Sequence, residues 1–226
     1  LNEANLIVVT SPTTKKEFEI ITETQIEVIT NGYAVSEGIS PVLDTSFSIA
    51  HIGSLLSERN PEVLWKILSE IASENKEFKR DLRIKLAGAV SNDVIENLTS
   101  YGLNQNCTFV GYVSHSEALR LQHNAQVLLL VEIDSPETRA IIPGKIFEYL
   151  AAHRPIISIG PKSSDIESII NETKSGRFFN SHEEAKLKEY ILLLYTAFKD
   201  GSLSVASEGI EKYSRRELTR RMSNLI

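Results

Sequence analysis

Residues 125–159 read Ala125-Gln-Val-Leu-Leu-Leu-Val131, Glu132-Ile-Asp-Ser-Pro-Glu-Thr-Arg-Ala-Ile-Ile142, Pro143-Gly-Lys-Ile-Phe-Glu-Tyr-Leu-Ala-Ala152, His153-Arg154 and Pro155-Ile-Ile-Ser-Ile159. The first block is a continuous apolar run of strand length, as found in strands buried on both faces of a parallel sheet. The third block starts on a proline, which pre-sets the first turn of a helix. Its apolar residues Ile146, Phe147, Leu150 and Ala151 fall on one stripe, with Lys145 and Glu148 off it. The last block is a second apolar strand. Strand, helix and strand in this order, joined by short links, form the unit of a parallel α/β sheet.

The same unit recurs on either side. Upstream, Phe47–Ile52 reads as a strand running into Gly53, and Asn60-Pro61 as a helix start, a capping side chain followed by proline at the first helical position. Leu64, Ile67, Leu68 and Ile71 then recur at helical spacing. Leu82–Ala87 reads as a strand ending at Gly88, 91–101 as a helix, Cys107–Val110 as a strand ending at Gly111, and 114–123 as a helix. Downstream, 163–172 reads as a helix, Arg177–Phe179 as a short strand, and Leu187 to Phe198 carries a long apolar stripe. A final helix is expected from about Ser204. Before the repeats lie a short apolar run at Leu6–Val9, a helix-start cluster at Thr10–Thr14, a strand at Ile26–Thr30 ending on Asn31-Gly32, and an aperiodic loop or linker over 33–46. The predicted fold is α/β, a Rossmann-like parallel sheet with helices on both faces.

In such sheets ligands bind outside the carboxyl ends of the strands. The loops to weigh are therefore 53–60, 88–92, 111–116 and 132–143. In the first, Arg59 stands just before a predicted helix N-terminus, where backbone N–H groups and the helix dipole favour an anion. A solvated surface arginine fits the same spacing. In the last, Pro143 sets the turn, Gly144 lets a ligand approach the backbone, and Lys145 adds charge at the helix start. Glu148, one turn on, is placed to accept hydrogen bonds from ribose hydroxyls; an i, i+3 ion pair with Lys145 is the alternative.

The chain has 226 residues, enough for one domain with attached elements that buries roughly 70% of its unfolded surface. A formal net charge of −6 argues against nucleic acid as a partner. The one cysteine, Cys107, excludes an internal disulfide or a cysteine zinc site, and a reducing, cytoplasmic setting is expected. No apolar run has the length that spans a membrane. The chain starts without Met or a signal peptide and reads as a piece of a longer protein. The five histidines lack metal-ligand spacing, and His51, inside a strand, reads as a packed core residue. A Gly-x-Ser-x-Gly elbow is absent, as are the paired acids a receiver domain needs after its first strand.

Taken together and in order, these pieces resemble GT-B glycosyltransferases of the family 4-like type, the glycosyl transferases group 1. The segment Pro143-Gly-Lys-Ile-Phe-Glu-Tyr-Leu-Ala-Ala-His-Arg-Pro-Ile-Ile157 is similar to that family's Pro-x-Lys…Glu signature. Ile26–Tyr33, Ile52–Asn60, Leu82–Gly88, Phe109–Val113 and Asp165–Gly176 resemble its other blocks, so that the likeness covers about residues 5–200. It implies the C-terminal, donor-binding half of a GT-B fold: 1–32 as a crossover segment from an N-terminal domain, 33–200 as the nucleotide-sugar domain, and 201–226 as a C-terminal helix. It implies retaining transfer from a nucleotide-diphosphate sugar to a saccharide or lipid-linked saccharide held mainly by the other domain, with no metal or other cofactor. The isolated fragment would then bind nucleotide but transfer no sugar, and the setting would be cytoplasmic, with possible membrane-face contact through the basic tail of Lys212, Arg215, Arg216, Arg220 and Arg221.

Carried over position by position, the resemblance assigns Arg59 and Lys145 to the diphosphate and Glu148 to the ribose. Gly53 and Ser54 fall in the first donor loop, and Gly111, Tyr112 and Val113 in the loop lining the base. Pro143, Gly144 and Ile146 complete the helix start beside the diphosphate. Two departures stand out. Ala140 occupies the place of the first glutamate of the family's E-x7-E motif, and Ser54 follows the first-loop glycine where many members carry arginine. Glu132, Asp134 and Glu137 are the nearest carboxylates to Ala140. A non-catalytic domain of the same fold, or a sugar-nucleotide epimerase of the same architecture, is the alternative reading.

Overall fold

The computed structural model describes residues 1–34 and 41–225. The chain opens with a small parallel unit, β1 (Ile7–Val9), α1 (Pro12–Glu19) and β2 (Ile26–Val28), with Ile7 opposite Ile26 and Val9 opposite Val28. Ser11 starts α1 in the expected way: its hydroxyl accepts the Thr14 N–H, and Pro12 follows where no N–H is required. Part of the loop expected over 33–46, residues 35–40, lies outside the described residues.

The main sheet holds β3 (Phe47–Ile52), β4 (Leu82–Ala87), β5 (Cys107–Gly111), β6 (Val127–Val131), β7 (Ile156–Ile159) and β8 (Gly176–Phe179). All of its pairings are parallel, in the order β5-β4-β3-β6-β7-β8. Counted from β3, this is the 3-2-1-4-5-6 order of a doubly wound nucleotide-binding fold, and its order reverses between β3 and β6. The connecting helices are α2 (Glu62–Glu74) with α3 (Lys76–Asp81), then α4 (Asn92–Ser100), α5 (His115–Asn124), α6 (Lys145–Ala151) and α7 (Asp165–Thr173). The chain ends with α8 (Glu184–Lys199) and α9 (Arg215–Ser223).

Alternation along each strand divides the core into two layers. Phe47, Ile49, Leu82, Ile84, Val127, Leu129 and Ile157 face a cluster with Leu64, Trp65, Leu68, Phe78, Leu98 and Ile191 from α2, α3, α4 and α8. Ala50, Ile52, Leu128, Leu130 and Ile156 face the other way, onto Ile146, Phe147, Leu150, Ile166 and Ile170 from α6 and α7. Both faces of β3, β6 and β7 are buried, and β6 is accordingly an unbroken apolar run; Ser48 and His51 in β3 and Ser158 in β7 are the buried polar residues of these strands.

Several expected boundaries move for local reasons. β6 begins at Val127 rather than Ala125, because the Ala125 N–H still closes α5 onto Leu121 O and the Gln126 N–H goes to the Ser48 hydroxyl. Asn60 does not cap α2. Its side chain accepts the Trp65 indole N–H at 2.8 Å, and Pro61 holds the capping position without a side-chain hydrogen bond. A separate helix, α3, follows because Asn75 caps it, its carboxamide oxygen accepting the N–H groups of Glu77 and Phe78.

The expected helix from Ser204 is not formed. Glu208 N–H bonds Thr173 O, Gly209 turns left-handed at φ +61°, and Ile210–Tyr213 makes a 3-10 turn. The helix then restarts at Arg215, where the Ser214 hydroxyl accepts the Glu217 N–H. This tail returns to the lead-in: Tyr33 N–H bonds Tyr213 O, Arg215 N–H bonds Tyr33 O, and the Arg221 guanidinium donates to Val28 O at 2.8 Å.

Candidate functional site

The carboxyl ends of β3, β4 and β5 are joined by a stair of backbone bonds. Gly53 N–H donates to Ala87 O and Gly88 N–H donates to Gly111 O, both at 2.7 Å. Gly53 and Gly88 sit at φ +125° and +117°, where a side chain is strained. Space forbids one on Gly88 as well, where a Cβ would lie 2.7 Å from the Gly53 backbone; one on Gly53 would lie 2.6 Å from Nζ, at the movable end of the Lys145 side chain. The two loops are thus packed backbone to backbone, leaving a cleft of about 460 Å³ over the β3–β6 reversal.

That cleft collects Gly53, Ser54, Tyr112, Val113, Gly144, Lys145 and Glu148, seven of the eleven residues singled out from the sequence. The other four do not line it. The Gly111 carbonyl is engaged by Gly88 N–H, and Pro143 O accepts the Ile146 N–H at 3.1 Å. The side chain of Ile146 is fully buried in the core, so its expected role as a donor at the helix start is corrected: neither its side chain nor its N–H is available. Among the described residues the N–H groups of Gly144 and Lys145 have no protein acceptor. Tyr112 is 97% exposed at the rim, an aromatic face with nothing packed on it.

Arg59 is also placed differently from the expectation of a cation abutting a helix start. It lies in a 3-10 turn, with Asn60 and Pro61 between it and α2. Its guanidinium is paired with Glu132 at the end of β6, Nη2 at 3.3 Å and Nε at 3.4 Å from the same Oε2. Burial pushes the Glu132 carboxyl above its usual range, against the pull of Arg59 and Lys145.

Lys145 and Glu148 do not form the i, i+3 pair their spacing allows. The Lys145 ammonium lies 3.3 Å from His51 Nε2 and, among the described residues, makes no ion pair. Burial lowers its pKa, with Arg59 adding to the fall and Glu132 and Glu148 opposing it. Glu148 is held by two neighbours from α5: His115 Nε2 at 3.0 Å from Oε1, and Gln122 Nε2 donating to Oε2 at 2.9 Å. Gln122 is buried and also lines the cleft. Sequence reasoning missed Gln122 and His115 as site residues. Both lie on the helix after the Gly111 loop, and no spacing rule ties them to Glu148. Among the described residues the cleft therefore combines a cation without an ion-pair partner, a carboxylate in a fixed orientation, backbone donors without a protein acceptor and an exposed aromatic rim.

Among the described residues no three His, Cys, Asp or Glu side chains are grouped as metal ligands, and no helix is long and apolar enough to cross a membrane. In the tail, Lys212 pairs with Glu172 and Arg220 with Glu217.

A Rossmann-like sheet of this strand order, with this cleft at its reversal, defines a nucleotide-binding type of domain. Residues 46–197, more than half of the chain, match the family model described as glycosyl transferases group 1, and the chain belongs to that family. The solved structures it is similar to are GT-B glycosyltransferases, and the chain has the fold of their C-terminal domain. A glycosyltransferase from Rickettsia africae matches with TM-score 0.73 at 16% identity, over 98% of this chain and 62% of that one. HepE from Anabaena, solved in complex with UDP, matches with TM-score 0.72 at 13% identity, over 98% and 63%. The pneumococcal O-GlcNAc transferase GtfA, solved with UDP and GlcNAc, matches with TM-score 0.64 at 14% identity, over 98% and 44%. The chain thus spans between 44% and 63% of the length of these proteins. No curated protein matches its sequence.

Proposed function

We propose that the cleft binds the nucleoside diphosphate part of a sugar nucleotide, and that the whole protein transfers that sugar with retention of configuration. One observation carries the reading: the half-buried ammonium of Lys145, which among the described residues has no carboxylate partner, sits at the strand reversal one helical turn from Glu148. A buried charge without a partner is costly unless a ligand completes it. In this reading Lys145, with the N–H groups of Gly144 and Lys145, meets the diphosphate. Glu148 accepts from the ribose, and Tyr112 and Val113 cover the base. Departure of the diphosphate builds negative charge on the β-phosphate, and donors fixed in advance around it lower the barrier. Arg59 joins them by exchanging Glu132 for phosphate.

The UDP complexes of HepE and GtfA support a nucleotide ligand for this fold. The acceptor, a saccharide or lipid-linked saccharide, would be held by parts of the protein outside this chain. The isolated chain would then bind donor without transferring it, without need of a metal ion, in a cytoplasmic setting. Calorimetric titration with UDP, GDP, ADP and their hexose conjugates tests the binding step; a folded chain that binds none of them refutes it. The anomeric configuration of the product, read by NMR, tests retention.

Ala140 favours a second reading, a domain that keeps nucleotide binding but has lost transfer. Activity of the full-length protein that Glu148→Ala abolishes supports the enzyme; nucleotide binding without any turnover supports the second reading.

A further inference from the structure

His51 lies next to the carboxyl end of the buried strand β3 with no exposed surface, yet it touches Lys145, whose ammonium makes no ion pair among the described residues. Its Nδ1 is 3.0 Å from Leu129 O on the neighbouring strand. A carbonyl oxygen only accepts, and of the two carbonyls at the ring Leu129 O is the nearer, at 3.0 Å against 3.3 Å for Ser54 O, while a cationic donor stands at Nε2 alone; this assigns the proton to Nδ1. The neutral ring then presents a lone pair at Nε2. Two groups lie 3.3 Å from that atom, Ser54 O and Lys145 Nζ. The carbonyl has no proton to give, whereas the ammonium has three. The geometry therefore fixes the direction: Lys145 donates to His51 Nε2. The ammonium also lies beside Gly53, where a Cβ would come within 2.6 Å of Nζ.

We propose that His51 is a positioning residue for this site: its Nε2 accepts from the Lys145 ammonium and holds it against the Gly53–Ser54 turn, at the mouth of the cleft. The role in ligand binding rests on the reading of that cleft as a diphosphate site; the contact between the two side chains does not. Burial keeps the imidazole neutral by holding its pKa down at about 3, so Nε2 remains an acceptor throughout the neutral range. The charged groups that bear on Lys145 from the surrounding elements are Glu132 at the end of β6, Arg59 in the turn after β3, and Glu148 on α6.

The test has a ligand-free arm and a ligand arm. In the first, the Lys145 side chain is titrated by NMR in the full chain, labelled at lysine Cε, with Lys145→Met supplying the assignment. An acceptor for the charged form favours protonation. His51→Phe, which keeps a ring but removes the acceptor, is expected to move the Lys145 titration to lower pH. His51→Gln, whose amide can face Leu129 O with its NH2 and Lys145 with its oxygen, is expected to restore it. An unchanged titration in folded His51→Phe overturns the proposal; His51→Leu replaces it should the larger ring not be accommodated. In the second arm, UDP, GDP and ADP are each compared with the corresponding nucleoside. His51→Phe is expected to weaken the diphosphate about tenfold, leave the nucleoside unchanged, and shift the alkaline loss of diphosphate binding to lower pH. Equal weakening of nucleoside and diphosphate is what a merely structural role gives, and it refutes the positioning role. If the wild-type chain binds none of the three diphosphates, the proposed function falls, while the titration arm still decides on His51.

Discussion

Replacing Lys145 by methionine separates binding from stability. Methionine has similar length and no charge, and it leaves Gly53 uncrowded. Two structural terms oppose each other in the free protein. Removing a half-buried ammonium without an ion-pair partner relieves a desolvation cost, and removing the donor to His51 Nε2 leaves a buried acceptor unmet. Each is of order 1–2 kcal/mol, so the net change in unfolding free energy is expected within about 1 kcal/mol. With a diphosphate bound, only the loss remains. A hydrogen bond to a charged group is worth about 1.5–3 kcal/mol, which corresponds to roughly 10- to 150-fold in affinity. Calorimetry with UDP, GDP and ADP reads the second quantity and urea denaturation the first. The sign of a pH effect follows. Lys145 titrates lower in the folded protein than in the unfolded chain, so the unfolded state binds more protons over the alkaline window between the two values. Stability gained there as pH rises is absent in Lys145→Met. Unaltered diphosphate affinity, or a destabilisation well beyond 1 kcal/mol, refutes the view of Lys145 as a cation held ready for a ligand.

Glu148→Ala is expected to cost about tenfold in affinity for a ribonucleoside diphosphate and little for its 2′,3′-dideoxy analogue, as compared by titration. Gly53→Ala introduces strain at φ +125° and a contact with Lys145 Nζ, and should lower the unfolding free energy by about 1–3 kcal/mol in urea melts. His51 is held neutral when folded, at about 3, and titrates near 6.5 when unfolded, so its contribution to stability is complete above pH 6.5 and is lost as pH falls toward 3. Urea midpoints between pH 7 and 5 should therefore fall in the wild type and fall less in His51→Phe. Gly176 lies against the Ile156 backbone, and Gly176→Ala should destabilise the β7–β8 edge, seen as faster amide exchange in residues 176–179.

Much of the frame was legible because a parallel strand buried on both sides, such as Val127–Val131, leaves an uninterrupted apolar run, and because β3 and β4 run straight into glycine. Phe47–Ile52 and Leu82–Ala87 occupy the strands expected of them, residue for residue. Loop chemistry was less legible. Asn60 before Pro61 has the form of a cap, yet the indole of Trp65, five residues on, competes for its side chain and wins. The stretch after Ser204 has enough helix-forming residues, but Gly209 and the anchoring of Glu208 to Thr173 interrupt it. At the site, the cluster around Lys145 and Glu148 followed from strand-end position. Their partners did not, because His51, Gln122 and His115 come from two other segments, β3 and α5. A sequence spacing of three suggests that Lys145 and Glu148 meet; only the packing of α5 and β3 against α6 shows why each has a better neighbour.

The clasp between the lead-in and the tail has a consequence for the order of events in folding. Tyr33 and Tyr213 are about 180 residues apart in sequence, and their bond closes a loop that contains the whole main sheet. Such a closure is unrewarded until the sheet has compacted and shortened the distance it must span. The clasp is thus a late contact in assembly. Its amides, those of Tyr33 and Arg215, should exchange with solvent through an opening smaller than global unfolding, while those of β3 and β6 wait for the whole domain to come apart.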